Sequence, residues 1–112
     1  MLKYYHLPLS IFMKFNITHN DIKLGKKHDP AGCAIARSVL RKFATKTDNL
    51  VDVSVLPAHI SIRVFDDKKI TTWTCEMPKK ATQFIYQFDN DANVKPFVAN
   101  LDLKRNKSFV LI

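Results

Sequence analysis

The stretch Asp29 to Phe43, DPAGCAIARSVLRKF, constrains the fold most: a turn of small residues runs into one basic, amphipathic helix. If the turn ends near Ala31, then Ile35, Val39, Leu40 and Phe43 share one stripe, while Arg37, Arg41 and Lys42 point elsewhere. Such a stripe needs a sheet to cover it. Asp29 is placed to cap the first free backbone N–H groups, and Pro30 suits the first helical position, where a missing N–H loses no partner. Gly32 leaves the start open by a turn. Ala31, Cys33, Ala34 and Ala36 are all small, so this end of the helix either packs close to another backbone or leaves room for a ligand; close packing is the simpler expectation.

The covering sheet is legible around it. Lys14 to Thr18 reads as a short strand, followed by a turn or helical turn around Asn20 to Leu24 that stops at Gly25. After the polar turn Thr45 to Asn49, Val51, Val53 and Val55 alternate with polar residues, Pro57 interrupts, and Ile60, Ile62 and Val64 alternate again. Asp66 to Lys69 is a charged reversal without glycine, and Ile70 to Cys75 is rich in β-branched and aromatic residues, so a hairpin is expected. Pro78 opens a second helix in which Ala81, Phe84, Ile85 and Phe88 follow the i, i+3, i+4, i+7 pattern. Val94 to Leu103 alternates as a closing strand. The spacing therefore predicts a single α+β domain at residues 13–103, an antiparallel sheet of about four strands with two helices on one face, in the order β-α-β-β-β-α-β. Residues 1–12 read as an N-terminal extension and 104–112 as a basic, then apolar, tail forming an extra edge strand or a loose end.

A chain of 112 residues builds one core. Two cysteines without a secretory signal read as reduced, buried thiols, and four scattered histidines offer no metal spacing, so neither metal nor cofactor is expected. No apolar run is long enough to span a membrane. The net charge of +8 favours polyanionic surfaces, yet 14 of the 18 basic residues and all 10 acidic ones lie between Met13 and Leu103, which leaves that body at +4. Lys26, Lys27 and His28 form a basic loop that, with Arg37, Arg41, Lys42 and Lys46, makes the densest positive region; Lys104, Arg105 and Lys107 add a basic tail. Each cluster reads equally as a solvated face.

Three function classes follow. A cysteine-dependent enzyme would use Cys33 at a helix N-terminus, His28 or His59 as base and Asp29 or Asp52 as orienter. No motif demands that arrangement, and a cysteine among alanines is more simply a core residue; the chain is read as a non-enzyme. Two glycines cannot make a phosphate loop, and Glu76 as the sole glutamate leaves little for a carboxylate-pair hydrolase. A nucleic-acid binder would use Lys26, Lys27, Arg37, Arg41, Lys42, Lys104 and Arg105, with Tyr4, Tyr5, Trp73 and Tyr86 available for stacking. A binder of a protein partner would use the same charges to speed encounter and Trp73, on a short strand, as anchor, unless that ring belongs to the core.

The phrases ITHNDIKLG, GCAIARSVL and WTCEMPKKATQFIYQFDNDANVKPFVANLDL, read together, resemble a family of small uncharacterised proteins of tailed bacteriophages and prophages. Its pattern is an opening ITxxDIxxG, a helix start CPxAxA and a closing P…FIxxFDxGxxVxPFxFxL, and the likeness covers Met13 to Leu103. The closing part is the more specific, carried by Pro78, Phe84, Ile85, Phe88, Asp89, Val94, Pro96, Phe97 and Leu101. Pro30 and Ala34 depart from the pattern, where relatives place a second cysteine and a proline, so no CxxC site exists here. The resemblance implies a viral origin and a fold but no reaction. The expectation is an accessory protein acting in the host cytoplasm by binding, and so inhibiting, a host nuclease, polymerase or defence factor. Direct nucleic-acid binding is the alternative, and homodimerisation through a strand edge is compatible with both.

Overall fold

The computed structural model describes residues 9–106 and the backbone of residues 109–110. Lys3, Tyr4, Tyr5 and Lys107, and with them most of the expected extension, lie outside the described residues.

Period-two alternation becomes five antiparallel strands: β1 (Ser10–Ile17), β2 (Leu50–Val55), β3 (His59–Asp66), β4 (Lys69–Glu76) and β5 (Phe97–Arg105), in spatial order β1-β5-β4-β3-β2. A two-residue β6 (Phe109–Val110) pairs with β4 at Lys69 and Ile70. Three helices complete the α+β fold, α1 (His19–Leu24), α2 (Ala34–Ala44) and α3 (Lys79–Asp89), so where about four strands and two helices were expected there are five full strands, the short β6 and three helices. The pairing also runs past both expected domain limits, because Ser10, Ile11 and Phe12 lie opposite Lys104, Leu103 and Asp102.

One face of each of β1 to β5 is apolar. Met13, Phe15 and Ile17 of β1, Leu101 and Leu103 of β5, Trp73 and Cys75 of β4, Ile60 and Ile62 of β3, and Val53 and Val55 of β2 are all buried. α2 supplies the other half of the core through Ile35, Val39 and Phe43, the last stacked on Phe15 at 6.5 Å between ring centroids. It lies against both β1 and β2, the two strands that end the sheet, so the sheet curls around the helix. Curling of this kind follows from strand twist once a single helix must be covered from two sides.

The helix starts later than its sequence suggests. Cys33 is the N-cap, and Asp29 instead closes the preceding turn: its carboxylate accepts from Ala31 N–H (3.0 Å) and its carbonyl from Cys33 N–H (3.0 Å). The turn is held to the sheet where Val55 N–H donates to the Pro30 carbonyl (2.8 Å), so Pro30 is an anchor of β2 rather than the first helical residue. α3 does begin after Pro78 as its spacing predicts, with Ala81, Phe84, Ile85 and Phe88 buried and Phe84 against Phe97 at 4.8 Å. In the β3–β4 reversal Asp67 takes the left-handed backbone (φ 49°), which Asp tolerates better than bulkier residues.

Candidate binding site

The basic face of α2 is built around one buried carboxylate. Thr18 and Asp21 cap α1 reciprocally: Asp21 N–H donates to Thr18 Oγ1 (3.2 Å) and Thr18 N–H to Asp21 Oδ2 (2.9 Å). Asp21 is fully buried, and Arg41 grips it with both guanidinium nitrogens, Nη1 to Oδ1 at 2.6 Å and Nη2 to Oδ2 at 2.9 Å. Arg37 Nε stands 3.6 Å from the same Oδ1. Burial pushes the Asp21 pKa up, but hydrogen bonds from Arg41 and Thr18 outweigh it and hold the carboxyl below the usual range. Gly25 belongs to this unit, since a Cβ there would sit 2.6 Å from the Asp21 carbonyl oxygen and 2.7 Å from Ala34 N. The ITHNDIKLG phrase is therefore the joint between β1, α1 and α2.

The other expected binding cations have local partners too. Lys42 Nζ donates to the Lys14 carbonyl (2.6 Å) and lies 5.8 Å from the Phe15 ring centroid; Arg41 Nη2 donates to the Asn16 carbonyl (2.9 Å). These two contacts cover the free edge of β1. Lys27 pairs with Asp91, and Lys104 with Asp102 at 2.9 Å. The half-buried Arg105 donates its backbone N–H to the Leu9 carbonyl (2.7 Å), closing the β1–β5 ladder. Lys26 is exposed and has no carboxylate partner among the described residues. Arg37, Arg41, Lys42, Lys27 and Lys104 thus share no unpaired patch, because each side chain is drawn to a carboxylate or carbonyl, one distant in sequence for all but Lys104, whose partner Asp102 is two residues away. Trp73 is 6% exposed and faces the core with Thr71 and Cys75, while Thr72, Thr74 and Glu76 point away; it is not an anchor on an open sheet face.

Two concavities hold expected site residues. The first, about 220 Å³, is lined by Cys33, His28, Asp29, Phe84, Phe88 and Asp89. His28 has a left-handed backbone (φ 59°), donates its backbone N–H to Asp89 Oδ1 (2.9 Å) and holds Nδ1 3.6 Å from Asp89 Oδ2. A cysteine, a histidine and a carboxylate therefore share one cavity, although the carboxylate beside the histidine is Asp89, not Asp29 or Asp52; Asp52 pairs with Arg63, and His59 is exposed at the start of β3. Burial pushes the Cys33 thiol up, which disfavours the reactive thiolate. Cys75 is also buried, so the two cysteines are free thiols.

The second concavity, about 480 Å³, opens where α2 ends inside the curled sheet. Its floor is apolar, from Ile11, Met13, Phe43, Val64 and Trp73, and its rim carries Lys14, Lys42 and Lys46. None of these lysines has a carboxylate partner among the described residues. Lys14 and Ile11 escaped the sequence reading, which placed Lys46 in the densest positive region but set Ile11 in an extension; the signal was the unbroken alternation Ile11, Met13, Phe15, Ile17.

No group of three His, Cys, Asp or Glu residues among the described residues is arranged to hold a metal ion, and no helix there is long and apolar enough to cross a membrane. Comparison with protein-family models, with curated proteins and with solved structures finds no match to the chain.

Proposed function

We propose that this protein acts without catalysis, by binding another protein through the open end of its curled sheet. One observation carries the reading: the three lysines around the second groove have no carboxylate partner among the described residues and surround an apolar floor that includes the edge of Trp73. Apolar surface ringed by one sign of charge suits a protein surface with acidic and apolar groups, and charge of one sign speeds encounter with it. A phosphate backbone would use the lysines and leave the apolar floor without a partner. The burial of Cys33, which pushes its thiol up, supports binding over thiol chemistry. In the form the sequence resemblance suggests, the protein is a phage-type accessory factor in the host cytoplasm, and its partner is a host nuclease, polymerase or defence protein. Direct polyanion binding is the second reading, supported by the net charge of +8.

A pull-down from host lysate with the full chain, with and without nuclease and at two salt concentrations, separates the two. The proposal expects one protein to persist through nuclease and moderate salt. Recovery of nucleic acid alone, lost steeply as salt rises, would replace it with polyanion binding.

A further inference from the structure

The backbone beside the groove says how a partner would dock. In the β1–β5 ladder Arg105 N–H donates to the Leu9 carbonyl (2.7 Å), which makes 9 and 105 a hydrogen-bonded pair. The register is antiparallel and in step from Ser10 opposite Lys104 to Ile17 opposite Phe97, so odd-numbered residues of β1 bond to β5 and even-numbered ones turn their N–H and C=O groups outward. The carbonyls of Lys14 and Asn16 agree with this parity, since both face away from β5 and are taken by Lys42 and Arg41. Upstream of Lys14 that cover stops. Ser10 and Phe12 present their outward N–H and C=O groups on the free edge of the terminal strand, with no hydrogen-bond partner for them among the described residues, and Phe12 and Lys14 both line the groove.

We propose, resting on the binding reading above, that the groove takes an extended, acidic-apolar peptide segment of the partner protein, added as a strand to β1 at Ser10–Phe12. The segment's backbone bonds to the open edge; its alternate side chains, if apolar, lie on the floor formed by Met13, Phe43 and Trp73, and its carboxylates meet Lys14, Lys42 and Lys46. Charge complementarity selects this occupant. A second copy of the chain would bring a groove rim of the same sign, its own Lys14, Lys42 and Lys46, rather than the carboxylates these lysines lack, which is unfavourable.

The test is selection from a random 12-residue peptide library on the full chain, with the enriched peptide then measured on wild type and on the Lys14→Glu/Lys46→Glu variant. The expected result is enrichment of sequences alternating acidic and apolar residues, binding weakened roughly tenfold or more by the charge reversal, and amide shifts on binding centred on Ser10 to Lys14 with a shifted Trp73 indole N–H. Absence of enrichment, enrichment of basic peptides, shifts centred elsewhere, or a wild-type dimer broken by the same charge reversal would overturn it. If Lys14→Glu/Lys46→Glu releases the nuclease-resistant protein of the pull-down but no acidic-apolar peptide is enriched, this docking mode fails while the binding reading stands; if that variant captures the protein as well as wild type, or no protein is captured, the binding reading itself fails.

Discussion

Replacing Asp21 with alanine removes the carboxylate on which α1, α2 and β1 converge. The change deletes the reciprocal cap on α1, worth about 1 kcal/mol, and two charge-assisted hydrogen bonds from Arg41. Such bonds contribute about 1.5–3 kcal/mol when the partner is charged. Because the Arg41 side chain is 48% exposed, it recovers solvation in the variant, and the lower part of that range applies. The expected loss is about 2–3 kcal/mol, which in a domain of this size lowers Tm by roughly 8–15 °C. Urea unfolding should give a lower midpoint at unchanged m-value. The Asp21/Arg41 double-mutant cycle should show a coupling of about 1–2 kcal/mol. Acid adds an independent readout. The folded-state pKa of Asp21 lies below its ordinary value, so in the window between the two the unfolded chain binds the extra proton and stability rises with pH. Its contribution is complete above the unfolded carboxylate range and is lost as pH falls through the folded value; Asp21→Asn should lack this part of the acid slope. A loss under 0.5 kcal/mol for Asp21→Ala, with no coupling to Arg41, would refute the assignment of these arginines to the fold and return them to the list of binding residues.

Other consequences are open to direct checks. Trp73→Ala should destabilise by about 3–5 kcal/mol in chemical denaturation, with Trp73→Phe milder, because the ring fills the core; near-neutral stability would mean it is exposed. Gly25→Ala should cost about 1–3 kcal/mol, since its Cβ would press on the backbone of Asp21 and Ala34. Cys33→Ser should retain partner capture in full, and native Cys33 should react with a thiol reagent near pH 8 far more slowly than in urea; rapid native labelling or lost capture would reopen thiol chemistry.

What could be read in the sequence was local. The stripe Ala81, Phe84, Ile85 and Phe88 needs only its own spacing to announce α3, and the valine and isoleucine alternations announce β2 and β3 in the same way. What escaped depends on partners distant in the chain. Arg37 and Arg41 look outward on a helical wheel because nothing nearby shows that Asp21, 20 residues before Arg41, is buried beneath them. The face of Trp73 was hidden because Thr71, Thr72 and Thr74 suit either side of a sheet, so the alternation that would orient the ring is blurred. Asp29 matched a helix cap in type, but its turn is tied to β2 through Pro30, which shifts the true cap to Cys33. The groove was invisible for a similar reason: Lys14, Lys42 and Lys46 meet only because β1 and the end of α2 close the curl together.

The measurement that bears most directly on the central claim is capture from nuclease-treated lysate by the wild-type chain beside Lys14→Glu/Lys46→Glu and Lys26→Ala, all first shown to be equally folded. The account predicts one protein held by wild type and by Lys26→Ala and released by the groove variant. Equal capture by all three, or material held by wild type only when nuclease is omitted, would contradict it.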